Sequence, residues 1–217
     1  MSTKNTLILS LLLVVVATAL GLFLWNRLPV QMASHWNIQD QVDGYISRLW
    51  GVFLMPTISA VMLLLFLIVP QIDPLKKNVQ AFRPTFNLFI LFFIGLMVYL
   101  HILTLFFNLG YKFPMSRATL AAMGPFFYFA GTLLEKAKRN WFIGIRTPWT
   151  LSSDSVWAEI HRFGAFLFKV CGGLVVLGAL LGRIWAFALT LFPLIGSTIF
   201  LVIYSYVLYR RESAQNG

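Results

Sequence analysis

The chain has 217 residues, of which 59% are apolar and only 11% charged, and its mean hydropathy is +0.80. A soluble domain carries about a quarter charged residues, so this balance excludes one and describes a membrane protein. The formal charge of +10 would point to nucleic acid in a soluble chain, but here the cations flank apolar runs, where they set topology and meet lipid headgroups, and no direct nucleic-acid partner is expected.

Six segments have the roughly 20 apolar residues that a crossing needs. They lie near residues 6–25, 48–70, 86–109, 117–134, 161–182 and 184–208. The first passes Ala17-Thr18-Ala19, which resembles a leader cleavage site, but apolar character continues to Trp25, so an uncleaved helix is expected. The fourth is interrupted by Gly124-Pro125, a kink that neighbouring helices tolerate. The last two meet at Gly182-Arg183 in a tight antiparallel hairpin, with Gly178 and Gly182 small enough for close approach. The single cysteine, Cys171, lies in an apolar run and is expected as a buried thiol. The pattern predicts an all-α polytopic membrane helix bundle of about six transmembrane helices in one integral membrane domain. Its parts are an N-terminal two-helix unit with an outer loop (1–70), middle helices (71–134), and a loop followed by a C-terminal helical hairpin (135–217).

Lys and Arg counted by loop fix a predicted orientation. One side receives Lys4, Lys76, Lys77, Arg83, Lys136, Lys138, Arg139, Arg146, Arg162, Arg210 and Arg211; the other receives Arg27, Arg48, Lys112, Arg117 and Arg183. The positive-inside rule then puts both termini and the 135–160 loop in the cytoplasm. Lys169, about two turns into the fifth span, is expected to snorkel to the headgroups.

Between the first two spans lies LPVQMASHWNIQDQVDGYISR, Leu28 to Arg48, in which Asp43-Gly44 is a turn signal. His35, Asn37, Asp40 and Asp43 are polar groups that converge over the helix ends, as a hydrogen-bonded cap or as ligand contacts. A metal site on His35 with a carboxylate would lack the paired histidines of a zinc centre, so no metal is expected. In the third span His101, Thr104 and Asn108 fall on one face at i, i+3 and i+7. Intramembrane polar groups are expensive and face the bundle interior, either as interhelical hydrogen bonds or, for His101, as the titratable group of a transporter.

The longest stretch of the second half that a bilayer would reject is NWFIGIRTPWTLSSDSVWAEIHRFG, Asn140 to Gly164, with Trp141, Trp149 and Trp157 eight residues apart. Pro148 biases Thr147 toward extended backbone, and Thr150, Ser152 and Ser153 are residues that cap helix N-termini. A helix from about Ser153 would put Asp154 in its positive first turn. Trp157, Ile160, Gly164 and Cys171 would share one face, while Glu159 and Arg162 would pair on another. Arg146, His161 and Arg162 could together bind a phosphate at headgroup level.

The pattern N-x-x-x-G-x-R-T-P-W-T-L, then V-W, then R-F, formed by Asn140, Gly144, Arg146 to Leu151, Val156-Trp157 and Arg162-Phe163, resembles the signature of the SdpI family. The first helix, the LP…HWN…DGY loop and the second helix resemble an N-terminal membrane domain of uncharacterised function often joined to it. The resemblance implies a multi-pass protein of the bacterial plasma membrane that protects the cell from a secreted toxin peptide. It also implies a receptor that holds a cytoplasmic transcriptional repressor at the membrane. On that basis Asn140, Gly144, Arg146, Thr147, Pro148, Trp149, Thr150, Trp157 and Arg162 are the partner-binding candidates; His35, Asn37 and Asp43 are ligand candidates in the outer loop by their own polar chemistry, since the family's founding member lacks the His-Trp-Asn element. Two other classes stay open: a small transporter using His101, and a membrane-embedded enzyme. The chain has no nucleophile elbow, HExxH helix or convincing carboxylate pair, so no catalytic residue and no cofactor is expected.

Overall fold

In lipid each backbone N–H and C=O must be satisfied within its own segment, so the apolar runs of this chain can cross only as helices. A computed structural model describes residues 1–216. In chain order it contains α1 (Thr3–Leu24), a single 3-10 turn (Trp25–Arg27), β1 (Gln31–Trp36), β2 (Val42–Ser47), α2 (Arg48–Ile72) and α3 (Lys76–Ala81). There follow α4 (Arg83–Asn108), α5 (Met115–Lys136), α6 (Pro148–Ser152), α7 (Asp154–Leu181) and α8 (Arg183–Asn216). Among the described residues five helices, α1, α2, α4, α7 and α8, are long and apolar enough to cross a membrane, and this is a multi-pass membrane protein.

The remaining long helix, α5, is the fourth expected span. Its apolar character is diluted by Ser116, Arg117, Gly124, Pro125, Gly131 and Thr132, yet its 22 residues extend about 33 Å at 1.5 Å per residue. At its start Ser116 binds Asp40 of the hairpin, and at its end Glu135 meets Lys169 of α7. Thus α5 runs between the same two ends as its neighbours. A polar, glycine-bearing helix survives there because α4 and α7 enclose it, and its contact with α7 is the most extensive between any two elements. Gly124 and Gly172 make that contact: a Cβ on Gly124 would stand 2.8 Å from the Gly172 carbonyl, and one on Gly172 would stand 2.6 Å from the Gly124 carbonyl. Lys169 pairs with Glu135 at the end of α5.

Helices α1, α2 and α4 pack together, α5, α7 and α8 pack together, and the α4–α5 contact joins the two sets. The main core contains Phe82, Phe86, Ile90, Ile94, Leu63 and Trp157, and Phe66 meets Phe86, Phe89 and Phe93 edge-on. Lipid tails are as apolar as these side chains, so the favourable term here is close packing and not escape from water.

Contacts sort the rest onto two faces. At one, Asn87 at the start of α4 donates to the Met1 carbonyl, while Ser155 at the start of α7 donates to Glu212 near the end of α8. The start of the chain therefore lies beside the start of α4, and the end of α8 beside the start of α7. At the other, β1 and β2 form an antiparallel hairpin that helical periodicity did not foresee. Its turn is not Asp43-Gly44. Residues 37–41 make it, because the Asn37 side chain accepts from the Gln39 and Gln41 amides at 2.9 and 3.0 Å, and Asp40 takes φ +60°. Gly44 lies in β2 opposite a bulge, where a Cβ would meet the His35 Cβ at 2.8 Å.

Candidate functional site

Residues 137–164 fold into a knot whose polar side chains bond mainly to one another. Asn140, fully buried, donates to the Lys138 and Ile143 carbonyls and accepts from the Phe142 and Ile143 amides, at 2.6–2.9 Å. It ties the turn that sends the chain to Gly144, whose φ of +125° is open to glycine. There the backbone lies against the His161 and Trp157 rings, where a Cβ would collide with His161 and crowd Trp157.

Thr147 and Thr150 form a reciprocal cap on α6. Thr147 Oγ1 accepts from the Thr150 amide, Thr150 Oγ1 accepts from the Thr147 amide, and Pro148 fills the first helical position. The Thr150 hydroxyl also donates to the Ile145 carbonyl, and Thr147 reaches Ser205 of α8 at 3.1 Å. Ser153, rather than the nearby Ser152, then caps α7 by accepting from the Val156 amide.

Trp157, nearly wholly buried, donates its indole N–H to the Ala137 carbonyl at 2.9 Å and stacks on His161 with ring centroids 3.9 Å apart. His161 accepts from the Ile145 amide at Nε2, 3.0 Å away, which leaves Nδ1–H to donate to the Trp157 carbonyl at 2.9 Å. Both ring nitrogens are occupied, so this histidine orders the loop and is not free for a ligand. The phosphate grouping expected of Arg146, His161 and Arg162 does not form. Arg146 lies at the mouth of a cleft of about 480 Å³ between α2, α4 and α5, while Arg162 borders a separate one of about 570 Å³.

What remains outward from the knot is a short set. Arg146 is exposed and donates to the Trp141 carbonyl at 2.8 Å. Trp149 is half-buried against Tyr206, and Arg162 is exposed and pairs with Glu159 at the expected i,i+3 spacing. Partners from the first half, which no local pattern announces, hold the knot down. Asp73 accepts the Trp141 amide at 2.9 Å, and Asn78 donates to the Arg139 carbonyl at 2.8 Å. Arg139 bridges to Asp154 and to the Leu151 carbonyl.

Residues 136–205 match the SdpI/YfhL protein family. The chain carries an SdpI-family segment. Residues 12–60 match a second model, a domain of unknown function (DUF1648). The chain is 26% identical over 168 residues to the Immunity protein SdpI of Bacillus subtilis (strain 168), covering 77% of this chain and 78% of that protein. No solved structure matches. The knot described above, with α7 and most of α8, falls within the SdpI-family segment, whereas the later part of α1 from residue 12, the hairpin and the first half of α2 fall in the second match.

On the hairpin face His35 and Asp43 are both exposed and bond to each other, and Asn37 organises the turn. Asn108, at the end of α4, accepts from the Ala33 amide at 2.7 Å and returns a bond to its carbonyl at 3.0 Å, pinning β1 to the bundle. His101, one face-repeat earlier, is not joined to it. It is 1% exposed beside Gly21 of α1, and among the described residues its ring nitrogens have no hydrogen-bond partner. Among the described residues no three His, Cys, Asp or Glu side chains gather as metal ligands.

Proposed function

We propose that this protein is a membrane immunity protein that meets a secreted antimicrobial peptide at the hairpin face and signals through Arg146, Trp149 and Arg162 to a cytoplasmic transcriptional repressor. The observation that supports it is the likeness to Immunity protein SdpI across 77% of the chain. The excess of Lys and Arg on the loops at the knot's face supports a cytoplasmic position for both termini and for that segment. The division of labour within the knot supports the output role. Its buried members are consumed by internal bonds, and the exposed guanidinium of Arg146 keeps donors free for a partner.

Expression of this protein in a cell killed by such a peptide should restore growth. Arg146→Ala should abolish signalling, and with it induction of protection, while leaving the protein in the membrane. Full signalling and protection by Arg146→Ala and Trp149→Ala cells would sink the output role, and failure of the wild type to protect against any secreted peptide of its neighbours would sink immunity. A second reading, a small transporter, draws on His101, buried and without a hydrogen-bond partner among the described residues; uptake that survives His101→Ala would remove its support.

A further inference from the structure

The hairpin face holds two adjoining hollows. One, about 430 Å³, lies between the hairpin and the first turns of α5 and α8, and is walled by Trp36, Ile38, Leu120, Phe187 and Leu191. The other, about 530 Å³, is bordered by Lys112, Arg117 and Arg183. Arg183 lines both, so a mainly apolar hollow and a cationic one adjoin there as a groove.

The three cations at that end outnumber its one carboxylate, Asp40. Among the described residues no carboxylate pairs with Lys112, Arg117 or Arg183. Asp40 borders the groove, but its two oxygens are engaged by the Ser116 amide at 2.7 Å and the Ser116 hydroxyl at 2.8 Å. The cations are also held in place. Lys112 stands 4.1 Å from the Phe107 ring centre, and the Arg117 guanidinium lies against the α7–α8 turn at Gly182. Arg183 follows in that turn with φ +49°, a left-handed conformation that a non-glycine residue keeps only where its surroundings impose it. Polar groups continue along the floor as Ser34, Thr119 and Thr190. Trp36 Nε1 is buried and, among the described residues, has no acceptor. An acyl chain has no use for such groups, whereas the amides of a peptide do.

We propose that this groove binds an apolar peptide segment that carries a carboxylate, the side chains lying along the Trp36–Leu191 floor and the carboxylate against Lys112, Arg117 and Arg183. The inference rests on the reading that this face meets a secreted peptide, and adds which chemistry of that peptide is recognised.

The test uses the full chain in phosphatidylcholine nanodiscs and two fluorescent synthetic peptides of Leu, Ala and Phe, identical except for a free C-terminal carboxylate or a carboxamide. The acid should bind at least about tenfold more tightly, since charge-assisted bonds from Arg and Lys are the strong ones. The ratio should fall to about one in the Lys112→Gln, Arg117→Gln variant and should invert with Arg117→Glu, Arg183→Glu. Equal affinity of the two peptides for the wild type overturns the proposal. So does one phosphatidylglycerol retained per wild-type protein but lost from the Gln variant, because a lipid headgroup then owns the cations. Protection of sensitive cells without acid–amide discrimination removes the groove and leaves immunity; discrimination without protection does the reverse.

Discussion

Asn140 and Arg146 stand six positions apart in one motif and do opposite things. Asn140 serves four backbone groups in a fully buried turn, so its loss leaves donors and acceptors stranded away from water. Arg146 makes one bond from an exposed position. Stranding buried polar groups costs about 1–3 kcal/mol each, whereas exposed substitutions stay within about 0.5 kcal/mol. Asn140→Ala should therefore lower stability by about 3 kcal/mol and Arg146→Ala should leave it nearly unchanged, as measured by denaturant titration in detergent micelles. The contrast gives the functional experiment its meaning: a phenotype in Arg146→Ala reports a lost contact to a partner, and one in Asn140→Ala reports a lost loop. His161 belongs with Asn140, since its stack on Trp157 and its two ring bonds hold Ile145 in place.

At the scale of elements, the hairpin combines one apolar anchor, Met32 buried among Leu24, Leu28, Val52 and Leu105, with polar fastenings. A two-stranded ribbon alone is marginal in water, and this one is fastened by Asn108 at its base and by Asp40 at its tip. Asp40 also occupies the left-handed region, where alanine is strained by about 1–2 kcal/mol and asparagine much less. Asp40→Ala should raise amide exchange over residues 31–47 at least about tenfold, the equivalent of about 1.4 kcal/mol of opening free energy, and Asp40→Asn should raise it less. Exchange unchanged in Asp40→Ala would mean that the tip is held by something other than Ser116. The helix α5 makes the complementary point. Its composition alone would rank it below its neighbours as a span, and its enclosure by α4 and α7 is what lets glycine, proline and hydroxyl side chains run the length of the bundle.

For the whole molecule, the knot and both chain ends lie at one face and the hairpin with its groove lies at the other. On the proposed function, a peptide bound at the hairpin is a full helix length from Arg146, and its signal would pass through the bundle that joins α1, α2 and α4 to α5, α7 and α8. The positive-inside count supports the proposed cytoplasmic position of the knot's face. With Cys171→Ser as background, cysteines at Lys138 and at Ser213 should react with a membrane-impermeant thiol reagent only after cells are opened. A cysteine at Gln39 should react in intact cells, and the reverse pattern would invert the proposed orientation.

Sequence by itself determined the class, five of the six expected crossing segments, and some of the knot's local bonds: the Ser153 cap and the Glu159–Arg162 ion pair are set by neighbours a few positions away, whereas the threonine cap falls on Thr147 and not on the expected Thr150. It also carried the SdpI-family pattern, because that pattern is contiguous. Tertiary structure alone decided which of those residues are buried and which face outward. Asp73, Asn78 and Ser205 reach the knot across 58 to 68 residues of chain, and no spacing rule links such positions. It also moved the hairpin turn from Asp43-Gly44 to residues 37–41, where the Asn37 side chain closes the turn and contact with α5 favours Asp40 at the tip. The cationic groove was hidden for the same reason. Lys112, Arg117 and Arg183 come from two separate connections, and only the packing of α5 against α7 and α8 brings them to one end.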